Sequence, residues 1–122
     1  MTAKTNVGYI GLGNIGKPSA ERLITGKLEA HVYDVYQPAV DELVEKGATG
    51  SQSVAELARK CAHIGICVRD DQQVEELLYS EGGILANAAK DTIVAIHSTV
   101  TQASLLKWAR EAGEQGIHLL DA

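Results

Sequence analysis

The chain has 122 residues, enough for one domain and too few for two. Sixteen acidic against eleven basic residues leave a net charge of −5, with no Lys/Arg run longer than Arg59–Lys60. A nucleic-acid groove needs a concentrated basic patch, so that class is disfavoured. No apolar run approaches the roughly 20 residues that span a bilayer. The opening Met1-Thr-Ala-Lys-Thr-Asn6 lacks the apolar region of a secretory leader. Cys61 and Cys67 form neither a CxxC pair nor a zinc-ligand set, and no metal is expected. A reducing cytoplasm is the expected setting. Aromatic residues are few, with four Tyr, one Trp and no Phe, so the core must come from Val, Ile, Leu and Ala.

In chain order, Val7–Ile10 reads as a strand and residues 14–25 as a helix closed by Gly26. Ala30–Tyr33 is a second strand. Val40, Leu43 and Val44 mark one face of a helix that stops at Gly47, and residues 48–49 fit a very short strand. Ser53-Val-Ala-Glu56 has capping-box spacing and opens a helix through Lys60. Ile64–Val68 is a near-continuous apolar strand. Val74, Leu77 and Leu78 mark the next helix, Gly82–Gly83 break it, and residues 84–89 form a short turn of helix. Thr92–Ile96 is another apolar strand. Thr101 caps a helix whose face is Leu105, Trp108, Ala109 and Ala112, and Ile117–Leu120 is the last strand.

Strands alternating with helices imply right-handed βαβ units and a parallel sheet. The expected fold is α/β, a doubly wound, mainly parallel Rossmann sheet of about six strands with helices on both faces. The apolar strands 64–68 and 92–96 are expected to be covered on both sides. In such a sheet the ligand crevice lies at the carboxyl ends of the strands.

Gly11-Leu12-Gly13-Asn14-Ile15-Gly16 sits between the first strand and the first helix. Gly11 allows a tight turn, Gly13 lets the backbone approach a pyrophosphate, and Gly16 lets the helix lie close to the strand. Free N–H groups at the helix start favour an anion. An acid, Asp34, ends the second strand eighteen positions after Gly16. That spacing fits a carboxylate accepting from both ribose hydroxyls of a dinucleotide. Its charge repels a 2′-phosphate, and no Lys or Arg occurs between Lys27 and Lys46. NAD is therefore expected in preference to NADP.

Gly8-Tyr-Ile-Gly-Leu-Gly-Asn-Ile-Gly-Lys-Pro18 resembles the amino-terminal motif of the β-hydroxyacid dehydrogenases. These include 3-hydroxyisobutyrate, tartronate semialdehyde (2-hydroxy-3-oxopropionate reductase) and 6-phosphogluconate dehydrogenases. The resemblance continues through Val32-Tyr-Asp-Val35, Gly47-Ala48, Ser53–Glu56, Cys67–Asp71, Ile96-His-Ser-Thr-Val100 and Leu120-Asp-Ala122, in family order. Ile15 and Ser19 stand where the family usually and often has Met, and the family's Pro after the Ser-Thr pair is missing near Thr101. These departures blur the substrate subfamily.

The resemblance implies that Gly11 to Ile15 wrap the pyrophosphate and that Asp34 takes the adenosine ribose. It implies that Cys67 and Val68 border the cofactor cleft and that Thr99 lies near the nicotinamide ribose. Ser98 is a candidate for substrate binding. Ser98 and Thr99 also fit a helix cap. Arg69, Asp70 and Asp71 read as a solvated loop and helix cap. Cys61 and Cys67 read as buried thiols, Trp108 as core, and Lys17 as a solvated charge or weak phosphate contact. His97 lies nearest the crevice but has no acidic neighbour in sequence to suggest a relay.

The resemblance also implies a Ser-Gly-Gly substrate loop following the Asp-Ala dipeptide, a catalytic lysine on a long helix beyond the nucleotide domain, and an all-helical second domain. Residues 1–122 are thus expected to be the dinucleotide-binding domain of a dehydrogenase. With NAD it would oxidise a 3-hydroxy acid or reduce the semialdehyde. These residues alone are expected to be inactive and monomeric, and the parent a homo-oligomer. The alternative is a nucleotide-sensing Rossmann module of the potassium-channel type, which shares the glycine loop and the acid. An S-adenosylmethionine methyltransferase fits less well, because its loop is usually GxGxG.

Overall fold

Apolar residues at alternate positions of Thr5–Ile10 (β1) build the first strand of a six-stranded sheet. The computed structural model describes residues 5–121. Met1–Lys4 of the stretch read for a leader, and Ala122 of the final motif, lie outside the described residues. The elements run β1, α1 (Gly16–Glu21), β2 (Leu28–Tyr33), α2 (Gln37–Glu45), β3 (Thr49–Gly50), α3 (Val54–Lys60), β4 (His63–Ile66), α4 (Asp71–Tyr79), α5 (Ile84–Asn87), β5 (Ile93–Ile96), α6 (Gln102–Glu114) and β6 (His118–Asp121). The sheet order is β3-β2-β1-β4-β5-β6, and every pairing is parallel. This is the doubly wound Rossmann arrangement the alternation implied. Its switch point lies between β1 and β4.

Register places the carboxyl ends of the strands in one line. Ile10 pairs with both Tyr33 and Ile66, Ile66 with Ile96, and Ile96 with Asp121. The loops that begin at Gly11, Asp34, Cys67 and His97 therefore leave the sheet side by side.

Two apolar clusters flank the sheet. Val7, Tyr9 and Val32 face Ala20 of α1 and Val40 and Leu43 of α2. Ile64, Ile66, Val94 and Ile96 face Leu57, Val74, Leu78, Ile84 and Trp108 on the helices α3 to α6. Trp108 is fully buried, as its helical face predicts.

Three expectations need correction. The first helix is shorter than residues 14–25. Residues 12–15 are taken up by the turn leading out of β1. After Glu21 the chain tightens into i→i+3 bonds, Leu23 N–H to Ala20 and Ile24 N–H to Glu21, before Gly26 turns at φ +81°. The strand expected over 64–68 ends at Ile66. The N–H of Cys67 still reaches the Ile10 carbonyl at 2.9 Å, but that of Val68 leaves the ladder for a side chain. Finally, β4 and β5 are fully covered on one face only. Ile64, Ile66, Val94 and Ile96 are buried, whereas Gly65, Ile93 and Ala95 are half-buried. The helices α1 and α2 lie over β1 to β3 and do not extend over this half of the sheet.

Candidate functional site: a cleft at the switch point

A cleft of about 620 Å³ opens at the carboxyl ends of β1, β2, β4 and β5. Gly11, Gly13, Asn14, Ile15 and Gly16 form one wall, Asp34 stands at one end, and Cys67, Val68, Ser98 and Thr99 line the opposite side. The structure thus brings together ten of the eleven residues read from the sequence. The exception is Leu12. Its side chain is buried in the α1–α2 cluster, and its N–H points to Asp34.

The glycines serve different needs. Gly11 has φ +98°, and a Cβ there would lie 2.0 Å from the Cys67 carbonyl oxygen. At Gly16 a Cβ would lie 1.9 Å from the Gly11 carbonyl oxygen. Both are required by the fold itself. Gly13 differs, because a Cβ there would meet nothing within 4 Å. The protein leaves that volume open at the wall of the cleft, where a close-lying ligand would need it. No side chain caps α1. Lys17 N–H is taken by the Gly13 carbonyl at 2.9 Å and Pro18 has no N–H, so an anion would be met by N–H groups of the turn before them.

Asp34 is fixed by two backbone donors. Its Oδ2 accepts from Leu12 N–H at 2.6 Å and its Oδ1 from Tyr36 N–H at 2.9 Å. Each carboxylate oxygen keeps a further lone pair for a hydroxyl donor. Beside it, Val35 is 91% exposed and Ile15 is 73% exposed, and both line the cleft. Such exposed apolar side chains suit the flat face of a heterocycle. Sequence reading passed over Val35 as a site residue. A β-branched residue directly after the strand-ending acid was the available signal.

Lys17 turns away and pairs with Glu42 at 2.6 Å, which holds the Glu42 carboxyl below its usual range. Cys67 is half-buried and lines the cleft, unlike Cys61, whose thiol burial pushes up to about 12. Ser98 is buried and its Oγ accepts the Val68 N–H at 2.7 Å, while Thr99 is exposed. His97 also lines the cleft, its ring centroid 5.6 Å from that of Tyr9. Among the described residues no cluster of three His, Cys, Asp or Glu is placed to hold a metal, and no helix is long and apolar enough to cross a membrane.

A glycine turn against a strand-ending acid, over an open volume at a Rossmann switch point, is the geometry of a dinucleotide site. Residues 6–122 match the family model described as the NAD binding domain of 6-phosphogluconate dehydrogenase. The chain belongs to that family. It is an NAD-binding domain.

Its relatives agree. A Mycobacterium tuberculosis protein named as an uncharacterized oxidoreductase is 41% identical over 95% of this chain and 39% of its own length. The 3-hydroxyisobutyrate dehydrogenase of Pseudomonas aeruginosa is 32% identical over 97% of this chain and 40% of its own. A solved structure from Mycobacterium avium 104 superposes with a TM-score of 0.88 at 40% identity, covering 95% of this chain and 40% of that one. The chain spans about two fifths of the length of these relatives. The alternative of a potassium-channel regulatory module finds no support among them.

Proposed function

We propose that this domain holds NAD, in preference to NADP, for a dehydrogenase that interconverts a 3-hydroxy acid and its semialdehyde. The open volume at Gly13, facing the Asp34 carboxylate across one cleft, is the observation that carries the reading. NAD would be held by the loop from Gly11 to Gly16, by Asp34, and by Cys67, Val68 and Thr99 on the far side. Thr99 is the residue assigned to the nicotinamide ribose. Bound there, the dinucleotide would supply or accept the hydride.

This chain's own residues bind and orient. Asp34 presents acceptors to the adenosine ribose and negative charge against a 2′-phosphate. The apolar Ile15 and Val35 exclude water from the adenine. The substrate oxygen also needs a proton donor and acceptor. Among the described residues no lysine lines the cleft. We assign that step, and the recognition of the hydroxy acid, to the portion of a longer protein that the relatives possess and this chain does not span. The same reading assigns the parent to the cytoplasm and to a homo-oligomer.

Two measurements test this. Fluorescence titration should show NADH binding more tightly than NADPH, and equal or reversed affinities would overturn the preference. The 122 residues should bind NADH yet turn over no 3-hydroxy acid. Turnover by them alone would place proton transfer within the cleft, with His97 the nearest candidate.

A further inference from the structure

Thr99 is exposed, yet the chain on either side of it is pinned. Ser98, one residue before, is buried with its Oγ on the Val68 N–H at 2.7 Å. Thr101, two residues after, donates its hydroxyl to Asp71 Oδ2 at 2.8 Å and its N–H to Asp71 Oδ1 at 3.3 Å. The same Thr101 hydroxyl accepts Ser104 N–H at 3.2 Å and so caps α6. Asp71 is the first residue of α4, and its neighbour Asp70 caps that helix by accepting from Gln73 N–H. The loop after β4 and the loop after β5 are therefore tied at two points that bracket Thr99. Hydrogen bonds from Ser104 and Thr101 hold the Asp71 carboxyl below its usual range, so it is an ionised acceptor at neutral pH.

A contact residue on an untied loop must be ordered when its ligand arrives, which lowers affinity. A loop ordered by folding removes that cost. Asp71 serves neither the sheet nor the core. What its two oxygens fix is the backbone just after Thr99. We propose that Asp71 is a positioning residue that acts through Thr101, with Ser98 as the second anchor, to present Thr99 to the nicotinamide half of the dinucleotide. This rests on the assignment of Thr99 made above.

The test compares NADH with ADP, which lacks the nicotinamide ribose, as ligands for the 122-residue chain. Variants are Asp71→Ala, Asp71→Asn, Thr99→Ala and the Asp71→Ala/Thr99→Ala pair, each checked by thermal melting. Asp71→Ala should weaken NADH about three- to tenfold, the worth of one ordered side chain, and leave ADP unchanged. Asp71→Asn keeps a carbonyl oxygen for Thr101 and should recover most of the loss. In the Thr99→Ala background, Asp71→Ala should have no further effect, because both changes remove one contact. Equal losses for NADH and ADP, or independent effects in the pair, would overturn the proposal. If Thr99→Ala weakens NADH but Asp71→Ala does not, the brace falls and the Thr99 assignment stands. If Thr99→Ala leaves NADH unchanged, the Thr99 assignment falls and the brace with it.

Discussion

The Asp34 carboxylate accepts the Leu12 N–H at 2.6 Å, so the acid of the second strand holds the glycine turn that follows the first. The residue assigned to the ribose thus also braces the glycine turn. Asp34→Ala should weaken NADH about 10- to 100-fold, the range for losing hydrogen bonds to a charged acceptor. NADPH should weaken less, so the gap between the two narrows. Asp34→Asn keeps one acceptor oxygen and should lower the melting temperature less than the alanine variant. If the alanine variant melts like the parent, the bond to Leu12 contributes nothing to the loop.

Gly11 and Gly13 should separate folding from binding. Gly11→Ala meets both a positive φ and the Cys67 carbonyl, so it should destabilise the domain by at least about 1–3 kcal/mol in denaturant titration. Gly13→Ala meets no atom of the protein. Its stability should stay within roughly 0.5 kcal/mol of the parent while NADH affinity falls sharply. Unchanged NADH affinity in the Gly13 variant would mean that the open volume is not used by the dinucleotide.

The two thiols should react at different rates. Cys61 is buried and its ionisation is pushed up to about 12, whereas Cys67 is half-buried in the cleft. Thiolates are the reacting species, so a small neutral alkylating reagent at pH 8 should label Cys67 first. Saturating NADH should slow that labelling. Mass spectrometry of the tryptic peptides would show the order, and faster labelling of Cys61 would contradict the packing beneath α3.

His31 gives the fold an acid sensitivity. Burial lowers its pKa from 6.5, and its Nε2 lies 3.0 Å from Asn6 Oδ1. The unfolded chain binds this proton more readily than the native one, so stability rises with pH across the interval between the two values. The contribution is whole above about 6.5 and is lost as pH falls below it toward the lower folded value. Denaturant midpoints from pH 7.5 to 5 should therefore fall, and His31→Gln should flatten that slope. A slope unaffected by the substitution would assign the acid response to other groups.

The sheet was legible because short apolar runs and glycine stops repeat with the βαβ rhythm. The glycine turn and Asp34 were legible because each is local to a strand end. The half-covered face of β4 and β5 was not, because Gly65 and Ala95 are small and read as core wherever they stand. The length of α1 was misjudged because residues 14 and 15, read as the helix start, belong to the turn. The tie between Asp71 and Thr101 spans 30 positions of sequence and arises only when β4 and β5 pair. A reading that took Arg69 to Asp71 as a solvated loop could see Asp70 as a cap, but not its neighbour as a fastener.

The aligned strand ends have a consequence for folding. Because side chains alternate faces along a strand, a slip of one position in β1, β2, β4 or β5 would turn Ile10, Tyr33, Ile66 or Ile96 to the wrong face and shift the loop that begins at Gly11, Asp34, Cys67 or His97. Full dinucleotide affinity therefore reports on the pairing of all four strands. A ligand that binds only the correct arrangement selects it over every misaligned one and acts as a proofreader of the sheet.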